Sequence, residues 1–203
     1  MKRTLAWLIM STALLLSGCF VGQDSDAPTI SKNEDSEYEK TFADLNLGIL
    51  FDFDFYLPRA DERWVNLWVE RYVDGEMESE PITQLSYGNS PSEIEEGKLG
   101  FGLIETHPVG YLAFLFAPGV GSQPTEFDIE LESGFTSTWS YAIENEAVEL
   151  ELEEPEILAV YRKSQALKPV DLQDEESVER MIEEDEIVML LKIKVEDRVV
   201  STE

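Results

Sequence analysis

Residues 47–58 read LGILFDFDFYLP, and this stretch decides the fold class. Large apolar side chains occupy every second position, at Phe51, Phe53, Phe55 and Leu57. Polar or half-polar side chains lie between them, at Asp52, Asp54 and Tyr56. A period of two places the apolar set on one face of an extended chain, so the pattern predicts a strand with one buried face. Pro58 ends the strand, because it cannot donate a hydrogen bond to a neighbouring strand.

The next segment, residues 63–75, reads RWVNLWVERYVDG and predicts a second strand followed by a tight turn. Val65, Leu67 and Val69 share one face. Asp74-Gly75 favours a two-residue hairpin turn, since both central positions need a positive φ. The returning strand has a weak pattern, and Pro81 within it suggests an edge or a bulge.

The rest of the chain repeats this theme to give about ten short strands. One helix is predicted over residues 175–184, capped by Asp174, with Val178, Met181 and Ile182 forming its buried stripe. A last strand follows over residues 187–195. Short strands separated by frequent turn signals are typical of a sandwich or a barrel. We therefore predict a mainly β protein, an antiparallel β-sandwich with one short helix before the last strand, of which the immunoglobulin-like arrangement is one form.

The first nineteen residues have a different character. Lys2 and Arg3 precede an apolar run over residues 5–16, which is shorter than the roughly 20 residues that a membrane-spanning helix needs. The run ends in Leu16-Ser17-Gly18-Cys19, and Cys19 is the only cysteine of the chain. These residues resemble the lipobox of bacterial lipoproteins, in which a leucine and two small residues precede a cysteine.

The resemblance implies that diacylglycerol is attached to Cys19 and that residues 1–18 are removed as a signal peptide. Two acyl chains on the new N-terminus anchor a protein stably. Phe20 follows the cysteine where an inner-membrane lipoprotein has aspartate. The expected location is therefore extracytoplasmic, on the outer face of the cell membrane of a monoderm or in the outer membrane of a diderm. The alternative is a plain signal peptide or uncleaved anchor, with Cys19 incidental.

Composition predicts the domain organisation of the mature chain. Residues 19–43 contain the lipidated cysteine and then mostly Asp, Ser, Glu, Asn and Pro, a composition typical of a flexible acidic tether. Residues 44–203 are long enough for a single β-sandwich domain with its own core.

The chain is strongly acidic, with 43 Asp and Glu against 15 Lys and Arg and a formal charge of −28. This charge argues against nucleic acid as a partner, because phosphates are bound by basic side chains. It also argues against adsorption of the protein body to anionic lipid. The acidic surface either keeps the domain soluble or recruits a cation or a basic partner.

The sequence contains few residues suited to catalysis or metal binding. His107 is the only histidine and lies in a His-Pro turn, and no Gly-x-Ser-x-Gly motif is present. Carboxylates are too abundant for any pair to stand out as a glycosidase site. Calcium is the plausible metal, at Asp52 and Asp54, but a pair on a solvated strand edge is the simpler interpretation. We predict no enzyme activity, no metal and no cofactor.

An aromatic set is the candidate binding site. Trp64, Trp68 and Tyr72 share the strand face opposite Val65, Leu67 and Val69. If they are exposed, their flat rings suit stacking on sugars or peptides, because exposed apolar patches often mark binding sites. The alternative is that the helix or another sheet covers them.

These observations predict a lipid-anchored binding or accessory protein of the bacterial cell envelope, with the membrane as partner through Cys19 and an envelope protein or glycan as a further partner. A structural or interaction subunit that docks on another envelope protein is the main alternative. A carboxylate-dependent hydrolase is the third.

Overall fold

The computed structural model describes residues 26–106, 110–129 and 134–198. Two antiparallel β-sheets pack face to face, and a helix lies on the outer face of each. In chain order the elements are β1 (Thr29–Lys32), α1 (Glu37–Leu45), β2 (Gly48–Pro58), β3 (Arg63–Val73), β4 (Glu76–Met77), β5 (Thr83–Gly88), β6 (Ile94–Thr106), β7 (Gly110–Ala117), β8 (Val120–Gly121), β9 (Thr125–Phe127), β10 (Thr136–Tyr141), β11 (Val148–Glu149), β12 (Glu156–Ser164), α2 (Glu175–Glu184) and β13 (Ile187–Asp197).

The first sheet, sheet A, has the strand order β11-β1-β2-β6-β7-β8, with β9 also paired to β7. The second, sheet B, has the order β10-β12-β13-β3-β4, with β5 also paired to β3. All of these pairs are antiparallel, which confirms the predicted sandwich with a short helix before its last strand. The sheets hold more strands than the four and three of an immunoglobulin constant domain.

The core lies between the two sheets and is built by the alternation that the sequence shows. The four apolar side chains of β2 are each at most 2% exposed. They meet the inner residues of β3 and β13, which are equally buried: Val65, Leu67, Val69, Leu191, Ile193 and Val195.

The predicted turn at Asp74-Gly75 is confirmed, with φ of 49° and 81°. It joins β3 to β4, but β4 is only two residues long. The chain leaves the sheet around Pro81 and then rejoins β3 as β5, with Thr83 and Leu85 facing the core. The proline therefore marks a break in the returning strand, as its missing N–H requires.

The predicted helix over residues 175–184 is confirmed as α2. The Asp174 side chain caps it by accepting a hydrogen bond from the Ser177 N–H at 3.1 Å. Val178 and Met181 are buried against the outer face of sheet B, in a small second core with Val160, Val188 and Leu190.

The prediction of a flexible tether over residues 19–43 is wrong for its second half. Residues 29–32 form β1, which pairs with β2 and with β11, and residues 37–45 form α1. Ser36 caps the start of α1, and Asn46 ends it with a positive φ of 51°. Local capping and contacts with sheet A outweigh the polar composition that favoured disorder. The folded domain therefore includes residues 29–43.

Residues 1–25, with the predicted signal peptide and Cys19, lie outside the described residues. Neither of the two described helices has the length and apolar character needed to cross a membrane.

Candidate functional site

Trp64, Trp68 and Tyr72 lie together on the outer face of sheet B, and all three are half-buried. The end of this face around Tyr72 is covered by α2, because Tyr72 packs against the second core. Neither helix of the described residues lies over the end around Trp64. The alternative that the helix covers the aromatic set therefore holds for the end around Tyr72.

The ring of Trp64 is already engaged by groups of the protein itself. It lies so close to Gly88 that a Cβ there would be 2.4 Å from the ring atom Cε3. The guanidinium of Arg198 stands over the ring, 4.1 Å from its centroid, in a cation–π contact. A sugar could stack on this ring only by displacing Arg198.

Trp68 and Tyr72 are held by one carboxylate, that of Glu70. Trp68 Nε1 donates to Glu70 Oε1, and the Tyr72 hydroxyl donates to Oε2, each at 2.9 Å. Lys192 Nζ lies 2.8 Å from the same Oε2. Burial alone would raise the pKa of Glu70, but the hydrogen bonds from Lys192 and Trp68 outweigh it and lower that pKa. Burial and Glu70 raise the pKa of Tyr72 to about 12. The polar groups of this face satisfy one another.

A concave site is found on the other side of the sandwich, on the outer face of sheet A. Helix α1 lies there against β7, with the ring centroids of Phe42 and Phe114 6.1 Å apart and those of Tyr38 and Phe116 5.8 Å apart. Between helix and sheet is an open groove of about 690 Å³, which we call the α1 groove. It is lined by Tyr38, Thr41, Phe42, Leu50, Lys98, Phe114, Phe116, Ala117, Pro118 and Gly119.

Two glycines of β6 leave room for the aromatic rings of β7. A Cβ on Gly102 would be 2.2 Å from Phe114 Cζ, and a Cβ on Gly100 would be 2.6 Å from Phe116 Cζ. The rings therefore lie flat over the bare backbone of the neighbouring strand. In the sequence, Gly100 and Gly102 alternate with Leu99, Phe101 and Leu103, and glycines on one face of a strand are typical of such a close approach.

Polar side chains lie at one end of the groove. Lys98 forms an ion pair with Asp54 on the neighbouring strand β2. Both side chains are substantially exposed, at 38% and 52%. Asp54 is one of the two carboxylates considered for calcium, and its exposure and its ion pair with Lys98 agree with the simpler interpretation of a solvated strand edge.

The second aspartate of that pair, Asp52, is buried and holds α1 in position. It is only 1% exposed, and its Oδ2 accepts hydrogen bonds from Ser36 Oγ at 2.5 Å and Asn33 Nδ2 at 2.8 Å. Ser36 Oγ in turn accepts from the Glu39 N–H at 3.0 Å, as an N-cap does. A carboxylate at this position also suits the positive end of the helix dipole.

Tyr141 extends the same network to sheet B. Its hydroxyl accepts from the Asp52 N–H at 2.8 Å and donates to the Glu39 carboxylate. Burial raises the pKa of Glu39; Lys32 opposes this shift, and Asp52 adds to it. The first turn of α1 is thus fixed to both sheets, which gives the groove a rigid wall.

Two other depressions have several polar side chains in their lining. One, of about 610 Å³, lies between the start of β5 and the segment that follows β8, where the Ser122 Oγ accepts from the Leu115 N–H at 2.8 Å. The other, of about 480 Å³, is lined largely by glutamates: Glu144, Glu146, Glu149 and Glu156. Burial and the nearby Glu151 raise the pKa of Glu156. Aromatic rings with few polar groups are the usual lining of a small-molecule site, and among these depressions they occur in the α1 groove.

In the described part of the chain, no group of three or more His, Cys, Asp or Glu side chains is arranged to hold a metal ion. His107 lies outside the described residues.

The chain is similar in part to one curated protein. It is 36% identical over 66 residues to the protein nucleotidyltransferase YdiU of Clostridium botulinum (strain Eklund 17B / Type B). The match covers 32% of this chain and 13% of that protein. Such a short overlap gives no basis for assigning that protein's activity to this chain. No family model and no solved structure matches the chain.

Sequence reasoning did not find the groove. On its β7 side, residues 111–117 are apolar on both faces of the strand, which indicates a strand covered on both sides. Its helical side was missed, because α1 has only Tyr38, Phe42 and Leu45 as large apolar residues.

Proposed function

We propose that the protein is a lipid-anchored, extracytoplasmic binding protein of the bacterial cell envelope and that the α1 groove is its binding site. The observation that carries the proposal is the groove itself, in which the rings of Tyr38, Phe42, Phe114 and Phe116 line one open cavity. Its volume of about 690 Å³ lies within the roughly 300–1,000 Å³ of small-molecule sites.

The anchor rests on the lipobox at residues 16–19. After cleavage before Cys19, Asp26 is the seventh residue beyond the lipidated cysteine, and it already contacts the folded domain. Asp26 is held by Arg59 and Arg63, at 3.2 and 3.6 Å. The anchored domain therefore stays close to the membrane.

The test is mass spectrometry of the full chain, purified from membranes of its host in a mild detergent. We expect an N-terminal peptide that begins at a diacylated Cys19, and a native spectrum in which a non-covalent apolar species adds mass to the protein. Cys19→Ala should abolish the lipid mass. An unmodified, uncleaved N-terminus would contradict the anchor, and a spectrum without bound species would contradict the binding role.

A second candidate function, docking on another envelope protein, is favoured by strand β10. Within residues 26–106, 110–129 and 134–198, β10 pairs with β12 alone, which leaves one edge open. Trp139 on this strand is 52% exposed. An open edge can accept a strand from a partner. A photoreactive residue in place of Ser140 should then cross-link one envelope protein in host membranes, whereas the same residue in place of Thr41 should not.

A further inference from the structure

Building on the proposed function, we propose that the ligand of the α1 groove is an acyl chain of a zwitterionic phospholipid from the membrane in which the protein is anchored. The groove supplies the apolar surface for the chain, and the Lys98–Asp54 ion pair at its end supplies one charge of each sign for the headgroup.

The position of the groove relative to the anchor supports this ligand. Asp26 lies at the end of the sandwich where β2 ends, because β1 pairs with β2 from Tyr56 to Phe53 and Arg59 follows Pro58. Seven residues span at most about 25 Å when fully extended. This end of the domain therefore faces the membrane.

The groove opens toward the same end. Strand β7 runs toward it, and the turn at Pro118 comes next to Gly97, where an added Cβ would be 3.2 Å from Pro118 Cγ. Helix α1 covers the opposite part, since Phe42 lies beside Phe114 and the Leu47 carbonyl accepts from the Glu105 N–H. Within the described residues no helix lies over the outer face between Lys98 and the end of β2, so this face leads from the membrane side into the groove.

The charges at this opening fit a zwitterion. Lys98 provides a cation for a phosphate, and Asp54 and the neighbouring Glu96 provide anions for an ammonium group. The chain as a whole carries a formal charge of −28, so a lipid with net negative charge is repelled.

The headgroup contacts have to decide which lipid binds. An acyl chain is already surrounded by hydrocarbon in the bilayer, so its transfer into the groove gains little from the hydrophobic effect. The bilayer offers a headgroup different polar contacts from those that Lys98 and Asp54 offer at the groove. We therefore expect the site to discriminate by headgroup more than by chain length.

The experiment uses the lipidated full chain, reconstituted in vesicles that contain a phosphatidylethanolamine with a diazirine on one acyl chain. After irradiation, mass spectrometry of the peptides should place the label on residues 37–45 and 110–117. Thr41→Trp, which fills the groove from an exposed helix position, should reduce this labelling about tenfold, as loss of a binding site does.

A matched pair of variants tests the headgroup. Lys98→Gln should lower the labelling several-fold, whereas Lys40→Gln, which removes the same charge from an exposed position outside the groove, should leave it unchanged. A phosphatidylglycerol with the same photoreactive chain should label the groove several-fold less.

Equal labelling by both lipids, or labelling spread evenly over the domain, would overturn the proposal. If the native spectrum still shows a bound apolar species while the groove stays unlabelled, the ligand class is wrong and the binding function stands. If both experiments are negative, both proposals fail.

Discussion

Ser36 Oγ donates a hydrogen bond to the buried carboxylate of Asp52 at 2.5 Å, and this contact joins the cap of α1 to the middle of strand β2. One polar pair thereby sets where the helix lies on sheet A. The shape of the α1 groove depends on that position.

Replacement of Asp52 by alanine should destabilise the protein. Asp52→Ala leaves the donors of Ser36 and Asn33 without their acceptor, and an unsatisfied buried polar group costs about 1–3 kcal/mol. Urea unfolding followed by far-UV circular dichroism measures the loss. The control is Asp54→Ala, an exposed residue, which should change the free energy of unfolding by less than about 0.5 kcal/mol. Equal losses in the two variants would argue against a special role for Asp52.

Gly100 should not tolerate a side chain. An added Cβ would lie 2.0 Å from the Phe51 carbonyl oxygen, so Gly100→Ala must push the backbones of β6 and β2 apart. We expect a loss of about 1–3 kcal/mol, the usual cost of overpacking. Gly121→Ala is the matched control, because its nearest atom is 3.4 Å away, and its unfolding midpoint in urea should stay close to that of the parent chain. A Gly100→Ala protein as stable as the parent would mean that the approach of the two strands is not as close as described.

The ion pair between Arg162 and Asp185 should affect stability mainly when only one partner is removed, because the other charge then stays buried and unpaired. Both residues are 5% exposed, and Arg162 Nε lies 2.8 Å from Asp185 Oδ2. Burial raises the pKa of Asp185 even though the Arg162 charge opposes the shift. Arg162→Met should therefore cost about 3 kcal/mol, because it leaves a buried carboxylate unpaired.

The double variant Arg162→Met/Asp185→Leu should recover most of that loss, since no charge then remains buried. Thermal unfolding of the single and double variants measures how much of the lost stability the second substitution recovers. A double variant less stable than Arg162→Met would contradict this account, because Asp185 would then stabilise the fold even without Arg162.

Glu39 should make the folded protein less stable as the pH rises. Its pKa in the folded state lies above the ordinary value of 4.5, so the folded state binds a proton more readily than the unfolded state does. Stability therefore falls from pH 4.5 upward through the raised pKa. Glu39→Gln keeps an acceptor for the Tyr141 hydroxyl and removes this titration.

The variant should be more stable than the parent at pH 7, and the difference should shrink below pH 4.5. Urea unfolding across this pH range measures it. A constant difference at all pH values would show that Glu39 does not titrate with a raised pKa.

The fold was predictable where local signals and tertiary contacts agree. The alternation over residues 51–57, the Asp74-Gly75 turn and the Asp174 cap each determine a local conformation that the packing then uses. Helix α1 escaped prediction although Ser36 and Asn46 cap it locally, because the contacts that fix it to the sheets are distant in sequence. Asp52 lies 16 residues from Ser36, and Tyr141 lies 102 residues from Glu39.

The same difference explains the candidate sites. Periodicity placed Trp64, Trp68 and Tyr72 on one face correctly, but it carries no information about Arg198 or Lys192, which come from the end of the chain and occupy that face. The groove depends on the docking of α1, so no local pattern contains it. Its sheet side had two sequence signals, the glycine pair of β6 and the apolar residues on both faces of β7, and neither showed what lies over the strands.

The central claim is that the α1 groove holds the ligand, and native mass spectrometry of two helix variants tests it most directly. Thr41 lines the groove, whereas Lys40 is the adjacent exposed residue that does not. We predict that Thr41→Trp loses most of the bound apolar species and that Lys40→Trp retains it. Equal occupancy in the two variants would contradict the account and would place the ligand elsewhere on the molecule.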